Sequence, residues 1–200
     1  MKKLLLVLTA VFMSNLVMSQ EVSKQKEVGL VFYNFDNFGI TYKTGTNHAM
    51  WRFTTLFAGN NKSEQTADSL TGNNSNLGFG VEFGREYRKA ITNNFEFRYG
   101  GDISYQFSHS TTDIENGNYS TRNVSLKQTN HSPGLNLVLG FNYVIKQHVV
   151  IGFEMLPYFR YHYSKRVQYL DSSDEQTTKT IGFAWGLSSQ SVLISLAYRF

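Results

Sequence analysis

The sequence predicts an all-β protein, a closed antiparallel up-and-down β-barrel of eight strands that spans a membrane. Apolar and polar side chains alternate in segment after segment, which is the period of a β-strand. The 200 residues include 16 glycines, 16 phenylalanines and 12 tyrosines but only two prolines, a composition that suits closely packed strands. Polar stretches rich in Asn, Ser and Thr separate groups of these segments, as turns and loops do.

The clearest segment runs from Phe95 to His109, with the sequence FEFRYGGDISYQFSH. Its odd positions are mostly aromatic or aliphatic, whereas its even positions are charged or small. Successive side chains of a strand point to opposite faces, so one face is an apolar band and the other face is polar. A soluble barrel would turn the apolar face inward, and a membrane barrel would turn it toward lipid. The choice between these two orientations decides the class of protein.

The N-terminus predicts an exported protein. Two lysines and an apolar run precede Val17-Met18-Ser19, a sequence that suits cleavage after Ser19. Removing this segment leaves 17 basic against 15 acidic residues, a net charge of +2, which indicates no nucleic-acid partner. We therefore predict a signal peptide at 1–19, a short periplasmic leader at 20–26 and the barrel at 27–200.

Nine alternating segments follow the leader. In chain order they are 28–32, 38–43, 50–57, 77–87, 95–109, 135–145, 149–164, 181–187 and 192–200. Short breaks are predicted at 34–37, 45–48, 88–94 and 146–148, and long polar loops at 60–76, 110–130 and 167–178.

The last two segments differ in parity, because the apolar residues are odd-numbered from Ile181 to Leu187 and even-numbered from Val192 onward. Either a tight turn or a β-bulge between Ser188 and Ser191 shifts the register. A chain that starts and ends on one side of a membrane must cross it an even number of times. A bulge that joins the two tail segments gives eight strands, with the long loops extracellular and the termini periplasmic.

The polar face favours a membrane barrel over a soluble one. Charges of both signs recur on this face, and inside a barrel they can pair with one another. The apolar side chains are too many and too bulky for the narrow lumen of eight strands, so we expect them to face acyl chains. A soluble periplasmic lipocalin-like ligand-binding barrel, with the apolar face inward, is the alternative.

The inward charges predict an ion-pair network that plugs the lumen, since eight strands enclose little more than their own side chains. Inward glycines would make room for the long Arg and Glu side chains. A narrow channel is the alternative to the plug. The predicted network consists of Arg52, Glu82, Glu96, Arg98, Asp102, Glu154, Arg160 and Arg199.

The C-terminal sequence SVLISLAYRF resembles the signal by which bacterial assembly machinery recognises outer-membrane barrels. The residues of that signal are Ile194, Leu196, Tyr198 and Phe200. With the NFGITYKTG start and the Trp51-Arg52 pair, the mature chain resembles the small outer-membrane β-barrel proteins of the Bacteroidetes type. The resemblance implies a porin-like protein of a Gram-negative cell envelope whose partners are outer-membrane lipids and, during biogenesis, the barrel-assembly machinery. It implies no activity and no partner for the extracellular loops.

The sequence offers little for catalysis, and we predict a non-enzymatic protein with a structural or surface-interaction role. The chain has no cysteine, and no His, Asp or Glu spacing indicates a metal or a cofactor. The His162 and Ser164 pair resembles the His-x-Ser arrangement of lipid-modifying barrel enzymes, but we place both on the inward face. His109 and His131 flank a predicted loop, and we expect both in solvent.

Overall fold

The computed structural model describes residues 24–33, 38–67, 70–116, 124–170, 174–187 and 192–200. The predicted signal peptide, 1–19, lies outside the described residues. The first strand begins at Lys24, so the last three residues of the predicted leader belong to that strand. No helix long and apolar enough to cross a bilayer occurs in the part of the chain that the structure describes.

Ten antiparallel strands make up the described chain. They are β1 (Lys24–Phe32), β2 (Phe38–Thr46), β3 (Ala49–Ala67), β4 (Leu70–Ala90), β5 (Phe95–Asn116), β6 (Val124–Ile145), β7 (Val149–Met155), β8 (Tyr158–Leu170), β9 (Asp174–Gly186) and β10 (Val192–Arg199).

Eight of these strands close into a ring in the order β1–β2–β3–β4–β5–β6–β7–β10. The ring closes where β1 pairs with β10, from Glu27 opposite Arg199 to Phe32 opposite Ile194. Closure leaves no free edge in the ring, so its backbone hydrogen bonds are satisfied within the sheet. The predicted closed antiparallel barrel of eight strands is confirmed.

The strands β7 and β8 form one crossing interrupted at Pro157. Both pair with β6 in one continuous register, with Leu139 opposite Met155 and Asn136 opposite Tyr158. Proline has no N–H to donate to the ladder, although its carbonyl oxygen accepts from the Leu137 N–H at 2.8 Å. The interruption is therefore local and does not reverse the chain.

The strands β9 and β10 likewise run in one direction along β8 and β7. Tyr158 lies opposite Gly186, and Met155 lies opposite Val192. Five residues, 187–191, thus span a distance that two residues, 156–157, span on the neighbouring strand. The difference of three residues is odd, so it changes the parity of the tail. The count of eight strands, made by joining the two tail segments, is confirmed. Residues 188–191 themselves lie outside the described part.

The three predicted polar loops are wrong, because their residues continue the strands. The stretches 60–76, 110–130 and 167–178 lie in the β3–β4, β5–β6 and β8–β9 hairpins, apart from the residues that the structure does not describe. β5 and β6 are 22 residues long, twice the roughly 9–11 that a tilted crossing needs. Outside the hydrocarbon no apolar face is required, so pairing continues without the alternation that reveals a strand.

We call these parts the upper extension: β8, β9 and the portions of β3–β6 beyond the closed ring. The β1–β2 hairpin is short, with nine residues in each strand, and does not reach this height. Among the described strands, β9 pairs only with β8. The wall of the upper extension is therefore open along the outer edge of β9.

Short turns connect the strands at the opposite end. The break predicted at 88–94 begins later, because β4 continues to Ala90 and carries Arg88 inside the barrel. The predicted turn at 146–148 is confirmed, with φ angles of 48° at Lys146 and 66° at Gln147. Two consecutive positive φ angles are typical of the tight hairpin turns that match strand twist.

The apolar face of every strand in the ring points outward. Leu137, Phe141, Ile151 and Leu196 are among the outward side chains, with 61%, 40%, 44% and 50% of their surface exposed. On β6 the outward apolar side chains run from Leu135 to Ile145. At about 3.3 Å per residue and a tilt of about 40°, this stretch rises about 25 Å, the height of the apolar band of membrane barrels.

Candidate functional site

The inward face of the closed ring carries a cluster of buried charges, which we call the lumen charge cluster. Seven strands contribute to it, and its five acidic and five basic side chains balance. All but Glu96 are buried. The members are Glu27, Lys43, Arg52, Glu86, Arg88, Glu96, Arg98, Asp102, Glu154 and Arg199.

Arg52 of β3 lies at the centre of the cluster. Its Nη1 and Nη2 donate to the two carboxylate oxygens of Glu154 at 2.7 and 3.1 Å. Nη1 also donates to Glu86 at 3.3 Å, and Nε lies 3.2 Å from Asp102 Oδ2. Lys43 Nζ donates to the same Glu86 oxygen at 2.8 Å. A planar guanidinium with several donors suits this bridging role, and it ties three strands to β3.

Arg98 of β5 lies beside the same carboxylates but makes looser contacts. Its Nη1 lies 3.6 Å from Glu86, and its Nη2 lies 3.5 Å from Glu154. None of its nitrogens is aligned for a hydrogen bond. Gly152 provides the space for this side chain, because a Cβ at Gly152 would lie 2.7 Å from Arg98 Nη2 and would also overlap Ser195 Oγ. The predicted pairing of inward glycines with long side chains holds at this position.

A second set of pairs lies nearer the short turns. Arg88 donates from Nη1 and Nη2 to the two oxygens of Glu27, both at 2.7 Å, and also bonds Glu86. Arg199 donates from Nε to Glu27 at 2.7 Å and from its two terminal nitrogens to Glu96, both at 2.9 Å. These two-pronged contacts are the strongest geometry for an arginine and a carboxylate.

Two small apolar clusters fill the lumen beside the charges. One consists of Val138, Leu156 and Leu193 with Tyr33 packed against it. The other consists of Val144, Val150 and Ala197 near the short turns. Because the lumen is filled this tightly, the charges of the cluster face one another in place of water. Buried charges persist only when they are paired and hydrogen-bonded, so each member depends on the others.

The sequence-predicted network is brought together only in part. Arg52, Glu96, Arg98, Asp102, Glu154 and Arg199 lie in the lumen charge cluster. Glu82 and Arg160 face inward but make no ion pair with a described residue. Glu82 accepts from Asn136 Nδ2 at 2.9 Å, and Arg160 donates to Gln106 Oε1 at 2.9 Å. Both lie higher in the barrel, where amides are their partners.

Sequence reasoning left Glu27, Lys43, Glu86 and Arg88 out of the network. Each shares the parity of inward positions on its own strand, so alternation alone could have included it. Glu27 and Arg88 were missed because the strands that carry them were ended too early, at residues 28 and 87. Lys43 was assigned to the polar face but not to the network.

His162 and Ser164, which were not expected to form a catalytic pair, bond different partners. His162 Nδ1 bonds Ser132 Oγ at 3.0 Å, whereas Ser164 Oγ accepts from Gln128 Nε2 at 3.3 Å. Both side chains face the inside of the barrel, away from lipid. No group of three or more His, Asp or Glu side chains in the described ranges is placed to hold a metal ion.

The expectation that His109 and His131 lie in solvent is wrong. His131 packs among Tyr105, Phe107 and Tyr163, with ring centroids 5.4–6.2 Å apart, and its Nδ1 bonds the Tyr105 hydroxyl at 2.7 Å. His109 Nδ1 bonds Thr129 Oγ1 at 2.9 Å. Both are half-buried because the predicted loop is a strand pair whose side chains touch across the ladder.

Fold and site together define the class of protein, a closed antiparallel β-barrel with an apolar exterior and a lumen filled by paired charges. No family model matches the chain. No curated protein matches it either.

The solved structures similar to this chain include two outer-membrane barrels. A major outer membrane protein from Thermus thermophilus shares 13% identity, with 89% of this chain and 100% of that chain covered and a TM-score of 0.48. The N-terminal β-barrel domain of Pseudomonas aeruginosa OprF shares 11% identity, with 88% and 96% covered and a TM-score of 0.37. Likenesses this distant assign no family and no activity, and the predicted Bacteroidetes-type family stays a prediction.

Proposed function

We propose that this chain is an integral outer-membrane β-barrel protein with a non-enzymatic role in the envelope or at its surface. One observation carries the proposal: apolar side chains cover the outside of the closed ring while ten charged side chains lie inside it. In water this arrangement would expose a belt of aromatic and aliphatic groups far larger than soluble proteins tolerate. In a bilayer the same belt faces acyl chains, and ring closure satisfies the backbone.

One end of the belt supports the same orientation toward lipid. Near the short turns, Tyr87 stacks on Tyr99 with ring centroids 5.6 Å apart, and His148 stacks on Tyr198 at 5.5 Å. The Arg85 guanidinium lies 5.2 Å from the centre of the Trp51 ring. Aromatic rings with a polar partner are typical of the membrane–water interface.

The lumen charge cluster supports a plugged barrel over a narrow channel. Arg52, Arg98, Glu86 and Glu154 meet across the lumen, and each has 1% or less of its surface exposed. A continuous water path past these side chains would expose them. The protein in a planar bilayer is therefore expected to carry no steady ion current, and a stable conductance would contradict the plug.

The upper extension provides the surface for an interaction outside the membrane. Its polar hairpins continue well beyond the apolar belt, and an open depression of about 450 Å³ lies on it between Glu64, Asn74 and Asp113. We place the polar part of this extension, above the apolar belt, outside the cell and the short turns in the periplasm, where such barrels have theirs. The four alternating residues Ile194, Leu196, Tyr198 and Phe200 all face outward on the closing strand and at its end, where assembly machinery could reach them.

Spin labels at two outward positions test the membrane location. Cysteine substitutions at Leu137, within the belt, and at Thr177, on the polar part of the upper extension, share the outward face but differ in height. After reconstitution, the label at 137 should be relaxed mainly by lipid-soluble oxygen and the label at 177 mainly by a water-soluble nickel chelate. Equal access of the chelate to both positions would contradict a membrane barrel.

A further inference from the structure

The outward face changes from apolar to polar along one cross-strand row. Below the change, directly paired residues are Phe107, His131, Tyr163 and Ile181 on β5, β6, β8 and β9. Two residues farther along each strand, the directly paired residues are His109, Thr129, Lys165 and Lys179. The row with the two lysines therefore marks the upper end of the apolar side chains on β5, β8 and β9, whereas on β6 they end earlier, at Leu135.

Lys165 and Lys179 lie directly opposite each other, and both are exposed. Like charges in direct cross-strand positions destabilise a sheet. Neither lysine makes an ion pair with a residue that the structure describes. Lys127 adds a third positive charge one row higher on β6, where its Nζ lies 5.5 Å from the centre of the Tyr169 ring.

Carboxylates are absent from this part of the outward face. The row of the lysine pair and the next row, which holds Thr111, Lys127, Val167 and Thr177, contain no acidic residue on these four strands. Asp113 and Glu175 come one row farther out and are already engaged. Asp113 accepts from Ser125 Oγ at 2.5 Å, and Glu175 accepts from Thr177 Oγ1 at 3.1 Å. The repulsion between the lysines thus has no counterion from the described part of the protein.

We propose that Lys127, Lys165 and Lys179 bind the phosphate of an anionic lipid headgroup in the leaflet next to the upper extension. The inference rests on the proposed membrane location. A lipid contacts both sides of this boundary. Its phosphate pairs with the lysines, and its acyl chains cover Ile181, Phe183 and Trp185 below. Those three side chains have 62%, 68% and 81% of their surface exposed, more than most of the belt. Long lysine side chains at this height can extend their charge toward a headgroup while their stems lie on the apolar surface.

The two tryptophans of the chain report on the two ends of the belt separately. Trp185 lies on β9 below Lys179, whereas Trp51 lies near the short turns. A Trp51→Phe variant leaves Trp185 as the reporter, and a Trp185→Phe variant leaves Trp51. Each variant is reconstituted in phosphatidylcholine bilayers that contain a minor fraction of a lipid with brominated acyl chains, which quench nearby tryptophan. The brominated lipid is phosphatidylglycerol in one sample and phosphatidylcholine in the other.

We expect brominated phosphatidylglycerol to quench Trp185 more than brominated phosphatidylcholine does. At Trp51 we expect the two brominated lipids to quench equally. The double variant Lys165→Gln/Lys179→Gln should lower the relative association constant for phosphatidylglycerol at Trp185 about fivefold, which corresponds to about 1 kcal/mol. The matched control Lys89→Gln/Lys146→Gln removes the same charge at the other end and should leave the preference at Trp185 unchanged.

The outcomes separate this inference from the proposed function. Insertion with equal quenching by the two lipids, or a preference that the control pair abolishes equally, would overturn the lipid site and leave the membrane barrel intact. Loss of the preference in inorganic phosphate, at an ionic strength matched with chloride, would overturn a lipid as the occupant. Failure to insert into any bilayer would overturn the proposed function and this inference together.

Discussion

The closed ring and the upper extension use one backbone ladder for two environments. In the ring, side chains alternate between an apolar outside and an enclosed inside, as in β7, whose residues are exposed and buried in turn. In the upper extension, β9 is polar for half its length and exposed on both faces, with both Thr180 and Ile181 exposed. The difference shows that lipid and an enclosed lumen impose alternation, whereas hydrogen-bonded pairing alone does not.

The largest effect should come from breaking the charge balance of the ring. An Arg52→Met variant leaves Glu154 and Asp102 buried without their main partner. We expect a loss of about 3–5 kcal/mol in the free energy of unfolding, because a buried charge without a partner destabilises the folded state. Urea titration of the protein reconstituted in lipid vesicles, followed by tryptophan fluorescence, measures this change.

The matched control lies in the upper extension. Thr112 Oγ1 donates to Asn74 Oδ1 at 3.2 Å on an exposed face, so a Thr112→Val variant also removes a side-chain bond between strands. It should cost less than about 1 kcal/mol. Similar losses in the two variants would show that the lumen charge cluster is no more important than the surface of the hairpins.

An intermediate effect should follow from filling space at two glycines. A Gly152→Val side chain would overlap Arg98 and Ser195, and we expect a loss of about 1–3 kcal/mol from overpacking. A Cβ at Gly182 on β9 meets nothing within 4 Å, so Gly182→Val should be neutral or slightly stabilising. The same urea titration compares the pair, and an equal response at both sites would contradict the packing described for the lumen.

The smallest effect should come from shortening the upper extension itself. Asn61 pairs with Asn76, so residues 62–75 can be replaced by an Asn-Gly turn without a change of register. We expect the free energy of unfolding to change by less than about 1 kcal/mol, because the lower ring keeps its pairing. Heat-dependent migration in electrophoresis and urea titration would both detect the folded barrel.

A deletion of similar size at the other end sharpens this result. Residues 88–98 include Arg88, Glu96 and Arg98, so their replacement by a two-residue turn removes three members of the lumen charge cluster. This variant should fail to fold. A stable barrel after this deletion, or an unfolded one after the upper deletion, would reverse the roles assigned to the two regions.

Alternation predicted most of the ring and little of the upper extension. Strands such as β7 and the tail could be identified because lipid and lumen select opposite side chains at adjacent positions. Asn73 and Thr112 lie in strands too, but both of their faces meet water, so no period marks them. Register across strands was also beyond the sequence. The approach of Arg52 to Glu154, 102 residues away, depends on how eight strands close.

The pair formed by Glu27 and Arg199 joins residues 172 positions apart, on the first and the last strand. A partly inserted chain cannot make this contact. Until the last strand pairs, its glutamate and arginine side chains have fewer partners, and unpaired charges in the hydrocarbon are costly. Each intermediate of a strand-by-strand insertion would therefore be destabilised by unpaired charges. The final step should be cooperative, since the pairing of β1 with β10 and the charge balance of the lumen form together.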